Sequence, residues 1–318
     1  MKTVRLITIT LFIVSFFSCD KKEEPISPPK LNPESEIIEI SISDKYGYQV
    51  FFDLEDYIEV SRNEKTTWDL GAKNIDGKIY INLNSSKYMN AVASTKSWEE
   101  TTDYDGLELS PDSPDGKISS LVIGNNLNEV FILDMGFNSI PEALGYKKVK
   151  FQVVRNSLRV ISADLDGINE SVVNILINNE LSFTPFSLSK STPSDLHPIS
   201  DEWDILFTQY THIYANGRTY LVAGVLLNTV LIEASVDSIN TFENINKSTA
   251  KELDFSSDQD IIGFDWKTYS FETSSYTVDY EKYFILKKDA EYYKLRFIDF
   301  YDNQGNKGNF EFEIQKLN

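Results

Sequence analysis

The chain has 318 residues, 41% hydrophobic and 25% charged, a composition that suits a folded protein of about two ordinary domains or one large β unit. With 49 acidic against 30 basic residues its formal net charge is −19, so nucleic acids and anionic bilayers are repelled over most of the surface. One cysteine excludes an intrachain disulfide and a Cys-rich zinc site, and two histidines exclude a three-His zinc centre.

Residues 1–18 read as a secretory signal. Lys2 and Arg5 lead into an apolar run from Leu6 to Phe17, too short for the roughly 20 residues of a spanning helix. Cys19 closes the run, and Phe16-Phe17-Ser18-Cys19 resembles a bacterial lipobox with Phe16 where Leu is usual. The resemblance implies that Cys19 is lipidated and begins the mature chain, and several acyl chains on one residue suffice for stable anchoring to the membrane. Residues 19–36 form a charged, Pro-rich linker. Within it Asp20-Lys21-Lys22-Glu23-Glu24 resembles the surface-export tag of Bacteroidetes lipoproteins. Pro25, Pro28, Pro29 and Pro33 keep the linker extended, at about 3.1 Å per residue, so that it reaches roughly 50 Å from the bilayer. The expected location is the outer membrane, lipid-anchored, at the cell surface.

From residue 37 onward apolar residues recur with period two: Ile38, Ile40, Ile42; Ile79, Ile81, Leu83; Val149, Phe151, Val153; Phe310, Phe312, Ile314. Half-buried strands are expected there, with hairpin turns at Asp76-Gly77, Asp105-Gly106, Asp115-Gly116, Asp166-Gly167 and Asn216-Gly217. No long stretch carries a capped helical period, so the fold class is mainly β with antiparallel sheets and few, short helices. An internal echo accompanies this pattern. Phe52-x-Leu54 precedes Trp68-Asp69-Leu70 and a strand ending Leu83-Asn84, while Phe186-x-Leu188 precedes Trp203-Asp204-Ile205 and a strand ending Leu227-Asn228. Two related halves follow as an expectation, 37–180 and 181–318, with both tryptophans inward and Asp69 and Asp204 facing outward or capping turns.

Several of these motifs are familiar together. Trp68-Asp69-Leu70-Gly71, Ile81-Asn82-Leu83-Asn84-Ser85-Ser86-Lys87, Trp203-Asp204-Ile205-Leu206-Phe207, Val222-x-Gly224-Val225-Leu226-Leu227-Asn228 and Tyr293-Lys294-Leu295-Arg296-Phe297-x-Asp299-Phe300-Tyr301 with Gly305-x-Lys307-Gly308 resemble the HmuY-like family of Bacteroidetes lipoproteins over residues 37–318. The resemblance implies a β-rich protein that takes up haem or another iron compound and passes it to an outer-membrane receptor of the TonB-dependent kind. Within the family the chain resembles the longer, duplicated branch, whose ligand the resemblance leaves open.

Haem requires an axial donor, a flat apolar wall and cations for its propionates. His212 lies in Tyr210-Thr211-His212-Ile213-Tyr214, where a strand puts it on one face with Tyr210 and Tyr214, and Arg218 on the next turn is placed to meet a propionate. The other reading of His212 is a half-exposed strand histidine among surface tyrosines. His197, before Pro198 in a proline-bearing loop, is either a mobile ligand or a loop surface residue. Met89 and Met135 are the remaining donors of the mature chain. Asp103-x-Asp105-Gly106, Asp164-x-Asp166-Gly167 and the stretch Asp299 to Asn306 read as hairpin turns, since none has EF-hand spacing, and no resident metal is expected. Without a nucleophile elbow or a free thiol, the chain is not expected to be an enzyme. The alternatives to ligand uptake are a surface adhesion or assembly module and a carbohydrate-binding protein.

Overall fold

The structure is a computed structural model that describes residues 29–155, 157–189 and 195–318. The leader, Cys19 and the charged tag lie outside the described residues. Four antiparallel sheets and one further hairpin dominate, while helix is confined to single turns and the one-turn α-helix Lys247–Ala250, which Asn246 and Thr249 close with a reciprocal capping box. No helix among the described residues is long and apolar enough to cross a membrane.

The first sheet runs, in spatial order, Glu36–Ser41, Lys307–Leu317, Glu291–Tyr301, Tyr283–Lys288 and Ile232–Asp237. It faces a second sheet of Thr219–Leu227, Ile205–Ile213, Tyr48–Asp53 and Ile58–Glu64. The period-two residues meet between them: Phe310, Phe312 and Ile314 from one sheet pack with Phe52, Ile205, Phe207 and Val225 from the other, around a fully buried Trp266 stacked 3.8 Å from Phe297. The third sheet is a meander of Asn90–Ser94, Val130–Asp134, Tyr146–Val154, Ser157–Asp164 and Ser171–Leu176. It shares a second core with the hairpin Leu70–Ile75/Lys78–Leu83, to which Thr184–Phe186 adds an edge. Asp76 and Gly77 both take positive φ (51° and 80°) at the tip of that hairpin, the backbone a two-residue type I′ turn needs.

Half-burial, expected for the strands in general, does not describe the second sheet. In Ile205–Ile213 every residue from Ile205 to Thr211 is buried, because Ile205 and Phe207 enter the core against the first sheet while Leu206 and Tyr210 join Phe51, Trp203, Val222 and Leu226 on the opposite face. Both faces are covered along Ile205–Thr211, whereas the sheet's edge strand Ile58–Glu64 stays largely exposed.

The two echoed motifs also behave differently from the expected outward aspartates. Asp69 and Asp204 are 5% and 0% exposed, and each locks a backbone segment from far along the chain. Asp69 N–H donates to Phe186 O (2.9 Å), and its carboxylate accepts from Leu188 N (2.8 Å), Ser187 Oγ (2.8 Å) and Lys87 Nζ. Asp204 N–H donates to Phe52 O (2.9 Å), and its carboxylate accepts from Leu54 N (2.8 Å) and Lys288 Nζ (3.0 Å). Asn84 donates its side-chain amide to Lys65 O and Trp68 O, and Asn228 does the same to Ser200 O and Trp203 O. A buried carboxylate survives because such charge-assisted bonds replace its water. The Phe-x-Leu of each stretch therefore closes on the Trp-Asp of the other, and 37–180 and 181–318 exchange strands across the sheets.

Candidate functional site

The sequence candidates fall into two places. One is a cavity of about 250 Å³ between the outer face of the second sheet and the Leu70–Ile75/Lys78–Leu83 hairpin. Period two builds its near wall: Leu70, Ala72, Ile79, Ile81 and Leu83 enter the second core, which turns Lys73, Ile75, Tyr80 and Asn82 toward the cavity. Gly71 is required where the Phe183 ring lies against this strand, since a Cβ there would come within 2.4 Å of Phe183 and of Asn82 Oδ1. Phe51, Trp203, Leu206, Tyr210 and Leu226 form the far wall.

His197 belongs to this cavity and is no surface residue. Its ring sits 5.0 Å from Phe51, 5.1 Å from Phe183 and 5.5 Å from Trp68, and its Nε2 is buried with no hydrogen-bond partner. Burial pulls its pKa down to about 3, so the imidazole is neutral at physiological pH. Tyr210 is 1% exposed, with its hydroxyl also buried and unpartnered, and burial raises its pKa. Two further polar groups, which no sequence motif singles out, line the cavity. Asp112 accepts from Leu83 N (2.6 Å) and Val122 N (2.7 Å), and burial pushes its carboxyl up to about 6 despite those bonds. Lys73 has its pKa lowered by burial, and its ammonium makes no hydrogen bond or ion pair with any described residue. A weaker signal for Lys73 was present: it stands opposite Tyr80 on the non-core face of a strand whose other face sends Leu70 and Ala72 into the core.

The second place is the open end of strand Ile205–Ile213. Along one face exposure grows from buried Tyr210, through His212 at 23% of its side chain, to Tyr214 at 41%. The His212 ring meets Tyr214 at 4.9 Å and Phe264 at 4.8 Å, edge to face, whereas Tyr210 lies 6.5 Å away. Its Nδ1 is buried 3.7 Å from the carboxylate of Asp260, whose own pKa burial raises against the pull of His212. The shared face of Tyr210, His212 and Tyr214 is thus present, but Tyr210 is packed in, with Gly224 and Gly263 against its ring and hydroxyl. Arg218 is exposed on the turn after the strand, its N–H bonded to Asn216 Oδ1 and its carbonyl to Tyr214 N–H. No local pattern marks Asp260 or Phe264, which reach His212 from about fifty residues further along the chain.

Met89 and Met135 are buried in the second core among Leu83, Phe131 and Leu133 and present no sulfur to either place. Among the described residues no three His, Cys, Asp or Glu side chains gather as a metal site. The aspartates of the Gly-bearing turns accept N–H groups of their own loops, as Asp103 does from Asp105 and Asp302 from Gln304 and Asn306.

No curated protein matches the chain. Two solved structures are similar to it: apo PinO from Porphyromonas gingivitis, at 11% identity and a TM-score of 0.32 over 90% of this chain and 99% of that one, and the apo HmuY analogue TFO of Tannerella forsythia, at 12% identity and a TM-score of 0.21 over 91% and 99%. The profile of the HmuY protein family matches residues 45–314, most of the chain, and on that match the protein belongs to the HmuY family.

Proposed function

We propose that this protein is a lipid-anchored outer-membrane carrier, without enzymatic activity, that captures haem or a related iron compound at the cell surface and passes it to a TonB-dependent receptor. Family membership supports ligand uptake in general, and the His212 face supports the ligand class. The donor set fits an open, one-sided haem site. A metal-binding imidazole commonly gives its second ring N–H to a carboxylate, which leaves the other nitrogen for iron, and Asp260 stands beside Nδ1 for that role. Haem, when bound, supplies the iron and a flat apolar macrocycle. Tyr214 and Phe264 hold the His212 ring edge-on, and exposed Tyr220, paired with His212 across the hairpin, extends the aromatic surface. Arg218 is the nearby cation on the following turn. His197 is less suited, since its Nε2 is enclosed by aromatic side chains.

The test is a haem titration of the protein without its leader. A saturable, sharpened Soret band at one equivalent is expected, reduced or shifted by His212→Ala and unchanged by His197→Phe. Absence of any saturable spectral change in either iron oxidation state would sink the haem reading. The anchor is tested separately: Cys19→Ser should release the protein from membranes, and alanines at Lys21, Lys22, Glu23 and Glu24 should reduce its exposure to external protease while lipidation persists. A second reading, surface adhesion, is favoured by the tip of the hairpin Lys267–Ser270/Ser275–Val278, where Tyr269 and the 91% exposed Phe271 form an edge-to-face pair in solvent.

A further inference from the structure

The cavity beside His197 is a second place where ligand chemistry gathers, separate from the open His212 face. Its volume of about 250 Å³ equals roughly eight water volumes and lies just below the range of about 300–1,000 Å³ usual for small-molecule pockets. A porphyrin exceeds it, whereas a single aromatic ring with a short polar arm does not. The walls are suited to such a ring, with Phe51, Trp68, Phe183, Trp203 and Tyr80 among the lining residues.

The cavity wall also carries an ammonium without an anionic partner among the described residues. On a surface of net charge −19, most half-buried lysines carry an acidic partner, as Lys287 does with Glu233 and Lys288 with Asp204. Lys73 has none, and its ammonium is partly desolvated at the cavity wall. A cation in that position loses water without a compensating anion, a cost that a bound carboxylate would reverse. The acidic group in the wall, Asp112, accepts one backbone N–H on each oxygen, from Leu83 and Val122, and forms no ion pair with Lys73. Ser113, Asn82 and Gln259 add neutral hydrogen-bonding capacity to the lining.

From these observations we infer that the cavity binds a small aromatic carboxylate, its ring between the hairpin and the second sheet and its carboxylate on Lys73. The site does not depend on the haem reading, because no residue of the His212, Tyr214, Phe264 and Asp260 group lines the cavity.

The probes are benzoate and its neutral isostere benzamide. Trp68 and Trp203 line the cavity while Trp98 and Trp266 do not, so intrinsic tryptophan fluorescence reports occupancy, with calorimetry as the independent readout. Benzoate should bind saturably in the millimolar range or tighter, and benzamide about tenfold more weakly, the factor a single charge-assisted hydrogen bond supplies. Lys73→Met should bring the two probes to equal affinity. Ile118→Trp, at an exposed lining position, should weaken both without disturbing the core. Lys73 is itself half-buried on a hairpin, so retained thermal melting of Lys73→Met separates lost binding from lost folding. No saturable benzoate signal, equal binding of both probes by the unmodified protein, or an unchanged preference in folded Lys73→Met would each overturn the assignment. A haem response at His212 would stand or fall independently of all three.

Discussion

The two histidines of this chain are the same chemical group in opposite settings. His197 is enclosed by the rings of Phe51, Trp68 and Phe183 and is held neutral by burial alone. His212 stands at the open end of a strand, partly exposed to solvent, with a carboxylate 3.7 Å from one nitrogen. Desolvation without a partner makes an imidazole part of the apolar packing, whereas partial exposure beside a carboxylate keeps an imidazole within reach of solvent. An imidazole's usefulness as a ligand therefore depends less on being histidine than on which of its nitrogens the fold leaves reachable.

The sharpest way to break this contrast is acid. The folded-state pKa of His197, about 3, lies below its unfolded value near 6.5, so its contribution to stability is present above pH 6.5 and is lost as the pH falls toward 3. A tenfold difference in proton affinity between the folded and unfolded chains is worth about 1.4 kcal/mol, so the full loss is on the order of 5 kcal/mol. Denaturant unfolding between pH 7 and pH 3 should show it in the unmodified protein and not in His197→Phe. Asp112 acts in the opposite sense, since its raised pKa gives stability below 3.8 that fades as pH rises through about 6, but it is common to both proteins and cancels in the comparison.

Next in size are the tryptophans. Trp68→Ala and Trp203→Ala should each cost about 3 to 5 kcal/mol in unfolding free energy, as large-to-small changes at buried sites do. Only Trp68→Ala removes a ring in contact with His197, so only it should also move the acid loss to higher pH. Unequal costs with no change in the acid response would show that the aromatic enclosure does not set the state of His197.

On the open side the effects are smaller and appear in binding. Asp260→Asn should weaken haem about tenfold, the lower end for removing a partner of a metal-bound imidazole, while changing stability by no more than about 1 kcal/mol. A spectral titration alongside denaturant unfolding checks both halves of that expectation. Arg218→Ala should have the least effect, about a twofold weakening, because an exposed cation gains little from an ion pair.

Much of the architecture is written in short-range pattern. The alternation Phe310, Phe312, Ile314 does enter one core, Asp76-Gly77 does make the tight turn, and both Trp-Asp tryptophans are buried. Such features depend on a residue and its immediate neighbours, where period and turn chemistry act. The orientation of Asp69 and Asp204 was not legible, because the backbone N–H groups they bind, at Leu188 and Leu54, come from 119 and 150 residues away. Nor was the division of His197 and Tyr210 from His212, Tyr214 and Arg218, for the strand face that joins Tyr210 to Tyr214 says nothing of what will cover its inner end. Alternation along the chain settles which side of a strand a residue takes, and its side chain settles what chemistry it can offer. Whether that side meets water, a core or a cavity is settled when distant segments pack, since desolvation, and with it the charge and reach of every polar group, is a property of the assembled neighbourhood.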